Sequence, residues 1–358
     1  MSKNLNQKKQ NTSLGCKEIS AKRVMIFDLA MGGHHPTYIR HLLDYLQTSE
    51  LNLEVYVVVA PLFLDKYSDI VSSASSSVRF IPVSQDEAAK RTSAKRILSK
   101  SFLDWSMYCK YAEKLSVDHG ILMYIDHLLL PIIFGFQSPC TFSGIYFRPS
   151  FHYDFISSSR IIDKKTKKNK GKKREYLRSY WQKIILRSTL KNERLNKIFS
   201  LDQYAISFIK EIVEEDVQKN KVSYLTDPVS KKDFSREEIL EFGQKLKIPS
   251  GKKIFLLCGQ ITERKGVFQT LSALELLDEK TAEKMCLLIA GNVSKKIQDS
   301  LLSKIQQVQD KTRVHISLKD EYISYRELHL YFSLSDIVLA LYKRHVGLRG
   351  IIALGASY

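Results

Sequence analysis

From residue 22 onward, short apolar runs alternate with stretches whose apolar positions recur at helical spacing. Residues 24–29, 53–60, 78–83, 142–147, 198–201 and 222–226 have strand length, and 53–60 is stopped by Pro61. Residues 38, 42, 43 and 46 are apolar along one side of a helix, and residues 97, 102, 105, 108 and 111 form a stripe in a helix expected over 94–115. A second series occupies 254–258, 286–291, 314–317 and 337–342, again with helical stretches between. Strands that alternate with helices predict an α/β fold with parallel sheets. The break between the series predicts two Rossmann-like domains, 21–228 and 252–358. They are joined by a polar connector over 229–251, in which Ser235 is the N-cap of a helix and Glu238 lies three residues on. At 358 residues the chain is long enough for two cores of about 150 residues each. Residues 1–20 are polar, without the apolar segment of a signal peptide, and are expected to be a disordered tail.

The stretch 254–266, IFLLCGQITERKG, changes the picture from fold to chemistry. An apolar strand stops at Gly259, and Val267, Leu271 and Leu274 begin a helix after Gly266. The loop between them lies where open α/β sheets bind ligands. Helix N–H groups and the dipole favour a phosphate there, and Arg264 and Lys265 add full charges. A solvated turn is the plainer alternative.

Together with the strands and helices expected over 267–358, this stretch resembles the donor-binding domain of retaining, nucleotide-sugar-dependent glycosyltransferases of the GT-B fold, the family-four type (glycosyl transferases group 1). Lys265 and Gly266 match the Lys-Gly of that family's phosphate loop, and Gln260 stands where its Arg usually comes after the first Gly. Ser335 to Tyr342 resembles a later family strand, and residues 347–358 resemble the Gly-rich turn after it. The resemblance implies two Rossmann-like domains facing each other across a cleft. It puts Gly259, Arg264, Lys265 and Gly266 on the donor phosphates, with Gly32 and Gly33 opposite them, and puts Asn292, Gly347 and Arg349 on the nucleoside side. Residues 345–358 contain no Asp or Glu, where the family places two carboxylates.

In the first domain, Gly32, Gly33, His34, His35 and Pro36 come after the first strand without forming G-x-G-x-x-G. His34 and His35 are catalytic candidates, with a solvated turn as the alternative. Asp126 and His127 fall at the carboxyl end of a strand within ILMYIDHLLLPIIFGF, which at sixteen residues is short of a bilayer span. Asp126 and His152 are further catalytic candidates, and His127 and Arg148 are expected on the acceptor or transferred sugar. A core-satisfied or capping pair is the other reading of Asp126 and His127.

The charge is +18, and residues 160–197 hold fifteen Lys or Arg against three acids, a net of +12. Residues 164–175 of this basic insertion, KKTKKNKGKKRE, lack apolar residues, whereas Tyr176, Tyr180, Trp181, Ile184 and Ile185 line one side of the helix that follows. Such a segment is attracted to anionic lipid by roughly 1 kcal/mol per basic residue near the surface. A solvated loop before an ordinary packed helix is the alternative. Nucleic acid is the less expected counterpart, since neither a stacking-aromatic array nor an RNA-binding motif accompanies the charge. Five scattered cysteines without C-x-x-C spacing argue against a disulfide framework. No H-x-x-x-H and no clustered carboxylates occur, so no metal and no cofactor beyond a nucleotide-sugar co-substrate is expected.

The expected function is transfer of a sugar from a nucleotide-diphosphate donor to an acceptor that the sequence leaves open, with a lipid-linked group or a polysaccharide among the candidates. The expected place is the cytoplasm, peripheral at the inner face of a membrane. A non-catalytic polyanion-binding protein, for RNA or anionic membrane, is the alternative. The chain stops at Tyr358 within an apolar run, which leads to the expectation of an incomplete second domain, an inactive or poor enzyme, and an apolar sheet edge at 337–342.

Overall fold

The computed structural model describes residues 21–33, 35–147, 170–213, 216–342 and 350–358, with the backbone alone at 170–179 and 217. Seven parallel strands form the first sheet: β1 Lys22–Asp28, β2 Leu53–Val59, β3 Val78–Pro82, β4 His119–Leu122, β5 Thr141–Tyr146, β6 Leu195–Ser200 and β7 Val222–Tyr224. Their order is β3-β2-β1-β4-β5-β6-β7. The second sheet, also parallel, contains β8 Lys253–Cys258, β9 Met285–Ala290, β10 His315–Lys319 and β11 Ile337–Val338 in the order β10-β9-β8-β11. Each sheet therefore has a topological switch point, between β1 and β4 and between β8 and β11.

Period-two alternation explains why both faces are covered. Along β1, Met25 and Phe27 enter a core with Trp105, Tyr108 and Phe142, while Ile26 enters the opposite core with Ile39, Leu43 and Phe63. In the second sheet Leu257 packs with Leu271, Leu287 and Leu301, and Leu256 packs on the other side with Tyr331 and Phe332. Each fully buried Leu of this kind contributes about 2 kcal/mol relative to exposure. The helix Ile97–Lys114 buries Trp105, Tyr108 and Tyr111 as its stripe predicts, but Ile97 at its start is exposed.

The Ser235–Glu238 capping box is present, and the helix it starts, Arg236–Lys245, packs on the helix Tyr325–Leu334 of the second domain, with Phe242 and Tyr331 rings 5.0 Å apart. The strand expected over 337–342 is shorter, Ile337–Val338. Leu339 still donates its N–H to Leu256 O at 2.7 Å, but by Leu341 the chain has closed onto Gly266. At the end of the chain, Tyr358 OH lies 2.6 Å from His329 Nδ1 and donates to Lys232 O at 2.9 Å.

The carboxyl edges of the two sheets meet. Tyr322, in the loop after β10, lies with its ring 5.5 Å from Lys66 Nζ and hydrogen-bonds Tyr67, in the segment after β2. Tyr67 OH in turn donates to Met31 O, after β1, at 2.6 Å. The Arg40 guanidinium stands 4.8 Å over the Tyr325 ring. Tyr38 OH donates to Asp227 Oδ1 just before the connector, and Ser230 Oγ lies 2.7 Å from Tyr325 OH. Burial, together with Asp227, pushes the Tyr38 phenol far up. Among the described residues no helix is long and apolar enough to cross a membrane.

Candidate active site

At the second switch point, the loop after β8 is shaped by glycines in the left-handed region. Gly259 has φ +90° and Gly266 has φ +72°. A Cβ on Gly266 would stand 2.4 Å from Leu341 O, so only glycine lets the loops after β8 and β11 touch. Gly291 packs its backbone against Gly259, where a Cβ would meet Gly259 O at 2.3 Å. Ile261 N–H donates to Asn292 O at 2.9 Å, and Asn292 itself is exposed beside the loop.

Lys265, which a solvated turn would leave in water, is only 9% exposed. Its ammonium donates to the carbonyl of Cys258 and stands 5.4 Å over the Tyr342 ring. The reason is the 3-10 turn Glu263–Lys265, which carries the side chain back beneath Gly259. Arg264 is exposed, its guanidinium 5.9 Å from the same ring. Burial pushes the Cys258 thiol up to about 11 although Lys265 opposes the shift, so no thiolate competes for the ammonium. The helix Val267–Leu274 begins directly after this turn, with no side-chain cap and no acidic residue in its first turn. Its first N–H groups are thus offered beside two cations, the setting in which helix termini hold phosphate. Thr262 Oγ1 is buried beside them and has no hydrogen-bond partner among the described residues.

At the first switch point, β1 ends in Asp28, which is buried among apolar neighbours because two donors compensate its charge. Its Oδ1 accepts from Ala30 N at 2.9 Å, and its Oδ2 lies 2.6 Å from His35 Nδ1. That contact orients the imidazole at the start of the helix His35–Thr48, directly after Gly32 and Gly33. The His35 ring is flanked by Tyr124 at 5.2 Å and Phe147 at 6.4 Å. Gly33 has φ +67°, the turn that brings the helix start back over β1.

Asp126 and His127 diverge from each other. Asp126 Oδ2 accepts the Phe147 N–H at 2.9 Å, tying the end of β4 to the end of β5. His127 Nε2 reaches Asp104 Oδ2 at 3.0 Å, and Arg91 Nε donates to Asp104 Oδ1 at 2.6 Å. Burial raises the Asp104 carboxyl, but His127 and Arg91 outweigh it and hold it below its ordinary value. The His127 ring also stacks on Tyr124 at 5.8 Å, so His127 joins the His35 cluster through that ring.

His34, Arg148, His152, Gly347 and Arg349 lie outside the described residues. Sequence reasoning missed Asp28, Tyr124, Thr262 and the placement of Tyr342. Asp28 carried a signal, as the one charge closing the apolar run of β1.

Two parallel sheets whose carboxyl edges meet, each with a glycine-shaped loop at its switch point, define the GT-B architecture. Residues 238–349 match the family model for glycosyl transferases group 1, a span that includes the cationic loop and Tyr342. No curated protein sequence matches the chain. Among solved structures it is similar to WaaG, a glycosyltransferase involved in lipopolysaccharide biosynthesis, with 13% identity, 93% of this chain and 78% of that chain covered, and TM-score 0.56. It is similar to the sucrose-phosphate synthase of Thermosynechococcus elongatus, with 11% identity, 91% and 77% coverage, and TM-score 0.55. It is also similar to HepE of Anabaena in complex with UDP and glucose, with 12% identity, 88% and 73% coverage, and TM-score 0.52. At these identities the likeness is one of fold.

Proposed function

We propose that the chain transfers a hexose from a nucleotide-diphosphate donor, with the diphosphate at the loop after β8 and the transferred sugar toward His35. The observation that carries this reading is the uncapped terminus of the helix Val267–Leu274 flanked by Lys265 and Arg264. HepE, similar in fold, was solved with UDP and glucose, which supports a donor of this class.

As the glycosidic bond breaks, negative charge grows on the leaving diphosphate. Side-chain cations and helix N–H groups already in place stabilise it without reorganisation. Arg264 takes the part that Gln260 cannot, since Gln260 carries no charge. Thr262 Oγ1 supplies a hydroxyl donor to a phosphate oxygen. On the other side of the cleft, Asp28 fixes His35 Nδ1, which leaves Nε2 to hydrogen-bond a sugar or acceptor hydroxyl.

A thermal-shift screen of UDP-, GDP- and ADP-hexoses against the intact chain tests this, together with measurement of donor turnover. One donor should raise Tm in a saturable way, and Arg264→Gln should weaken that shift. If no nucleotide sugar raises Tm while RNA or heparin does, the reading is wrong and polyanion binding replaces it.

A further inference from the structure

The basic insertion contains a helix, Lys170–Leu190, that is packed along only part of its length. Leu186, Thr189 and Leu190 are fully buried, and Ile185, expected on the exposed side, turns into the first core. Thr189 Oγ1 lies 3.4 Å from Leu129 O, which holds this end against the helix Leu129–Phe134. The helix leads into β6 and so runs antiparallel to it, with its earlier residues toward the carboxyl edge of the sheet. Trp181 lies about 12 Å from Thr189 in that direction. There the helix turns outward: Tyr180 is 54% exposed, Trp181 58% and Ile184 38%. These three share one face by their spacing.

The neighbouring helix Gln203–Ile212 starts at the same edge and runs the same way. Lys183 Nζ stands 4.7 Å over the Phe208 ring, and one turn nearer the edge Tyr204 is 72% exposed. Aromatic side chains therefore project beside the edge that carries His35, and the sequence over residues 160–197, to which Tyr180, Trp181 and Ile184 belong, has a net charge of +12. Trp and Tyr gathered on one outer face beside basic residues suit a bilayer interface, which takes such rings at headgroup depth. Nucleic acid would match the charge and the rings, but Ile184 between the rings offers a base nothing to stack on and suits the acyl boundary.

We propose that Tyr180, Trp181, Ile184 and Tyr204 form a docking face for an anionic lipid bilayer, so that the acceptor is a group carried on a lipid in that surface. The acceptor half of this proposal rests on the sugar-transfer reading, and the docking half does not. The chain has two tryptophans, and Trp105 is buried, so a change in fluorescence on docking reports on Trp181.

The test uses the intact chain with vesicles of phosphatidylglycerol mixed with phosphatidylcholine, and with vesicles of phosphatidylcholine alone. The proposal expects a blue shift and co-sedimentation with the anionic vesicles only. Trp181→Ser should lower that binding about tenfold, and Trp181→Phe should largely restore it. A donor-induced Tm rise that persists in Trp181→Ser shows that the fold is intact. If no donor raises Tm in any variant, the sugar-transfer reading falls and the vesicle result still decides the docking. Equal sedimentation of the three proteins overturns the docking face, as does equal binding to both vesicles or an RNA oligonucleotide that gives the larger emission shift.

Discussion

Lys265 shows how far a loop motif reveals a residue. Its Lys-Gly pattern marks it as a donor-phosphate candidate, but nothing in the pattern says that the 3-10 turn folds the side chain under Gly259, onto Cys258 O and Tyr342. The ammonium is held in place before any ligand arrives, so its removal touches both binding and folding. Lys265→Met should abolish the donor-induced Tm rise and, in the absence of donor, lower stability by about 1–3 kcal/mol through loss of a charged hydrogen bond. Urea unfolding of the variant checks the second part, and unchanged stability would mean that the buried contact contributes nothing. Asp28 illustrates the opposite case. Its single charge at the end of β1 is visible in the sequence, but its partner His35 comes from seven residues further on, and only the Gly33 turn brings them together.

At the scale of elements, period and punctuation make most of the architecture legible. Runs that alternate between two cores, as in β1, must be strands covered on both faces, and Ser-x-x-Glu starts a helix at Ser235 because both capping bonds form locally. What sequence could not supply were contacts between loops. Leu339 to Tyr342 reads as continuing strand because its residues are apolar or aromatic, yet the chain there is drawn onto Gly266. Similarly, Ile185 reads as part of the outer face of its helix, but the helix Leu129–Phe134 packs beside it. Gly266→Ala tests the loop contact. The left-handed φ and the 2.4 Å approach to Leu341 O should together cost about 2 kcal/mol or more and displace Tyr342. Thermal unfolding, with a structure of the variant, reads both effects, and a neutral substitution would show that the loop tolerates separation.

Over the whole molecule, titratable groups gather where the two domains are joined. His329, in the helix Tyr325–Leu334, has its pKa pushed down to about 4, by burial first and then by Lys232 and His41. The folded state therefore resists a proton that the unfolded chain takes up below about pH 6.5. The contribution is full above that pH and is lost as pH falls from about 6.5 to about 4, by roughly 3 kcal/mol. His329→Gln should flatten this part of the profile relative to the parent chain, as read by Tm at successive pH values. Parallel profiles would remove His329 as the source.

Asp227 is fastened to Tyr38 of the first domain and Ser230 to Tyr325 of the second, with only Pro228 and Val229 between. The ring of Pro228 fixes one of the few backbone dihedrals left there. A joint this short behaves as a pivot rather than a tether, and each domain stays within reach of the other. Any opening of the cleft becomes a rotation of one rigid body about nearly one axis. The lever arm ends at the helix His35–Thr48, which carries Tyr38 near one end and begins with His35, so the same stroke would move the imidazole relative to the loop after β8.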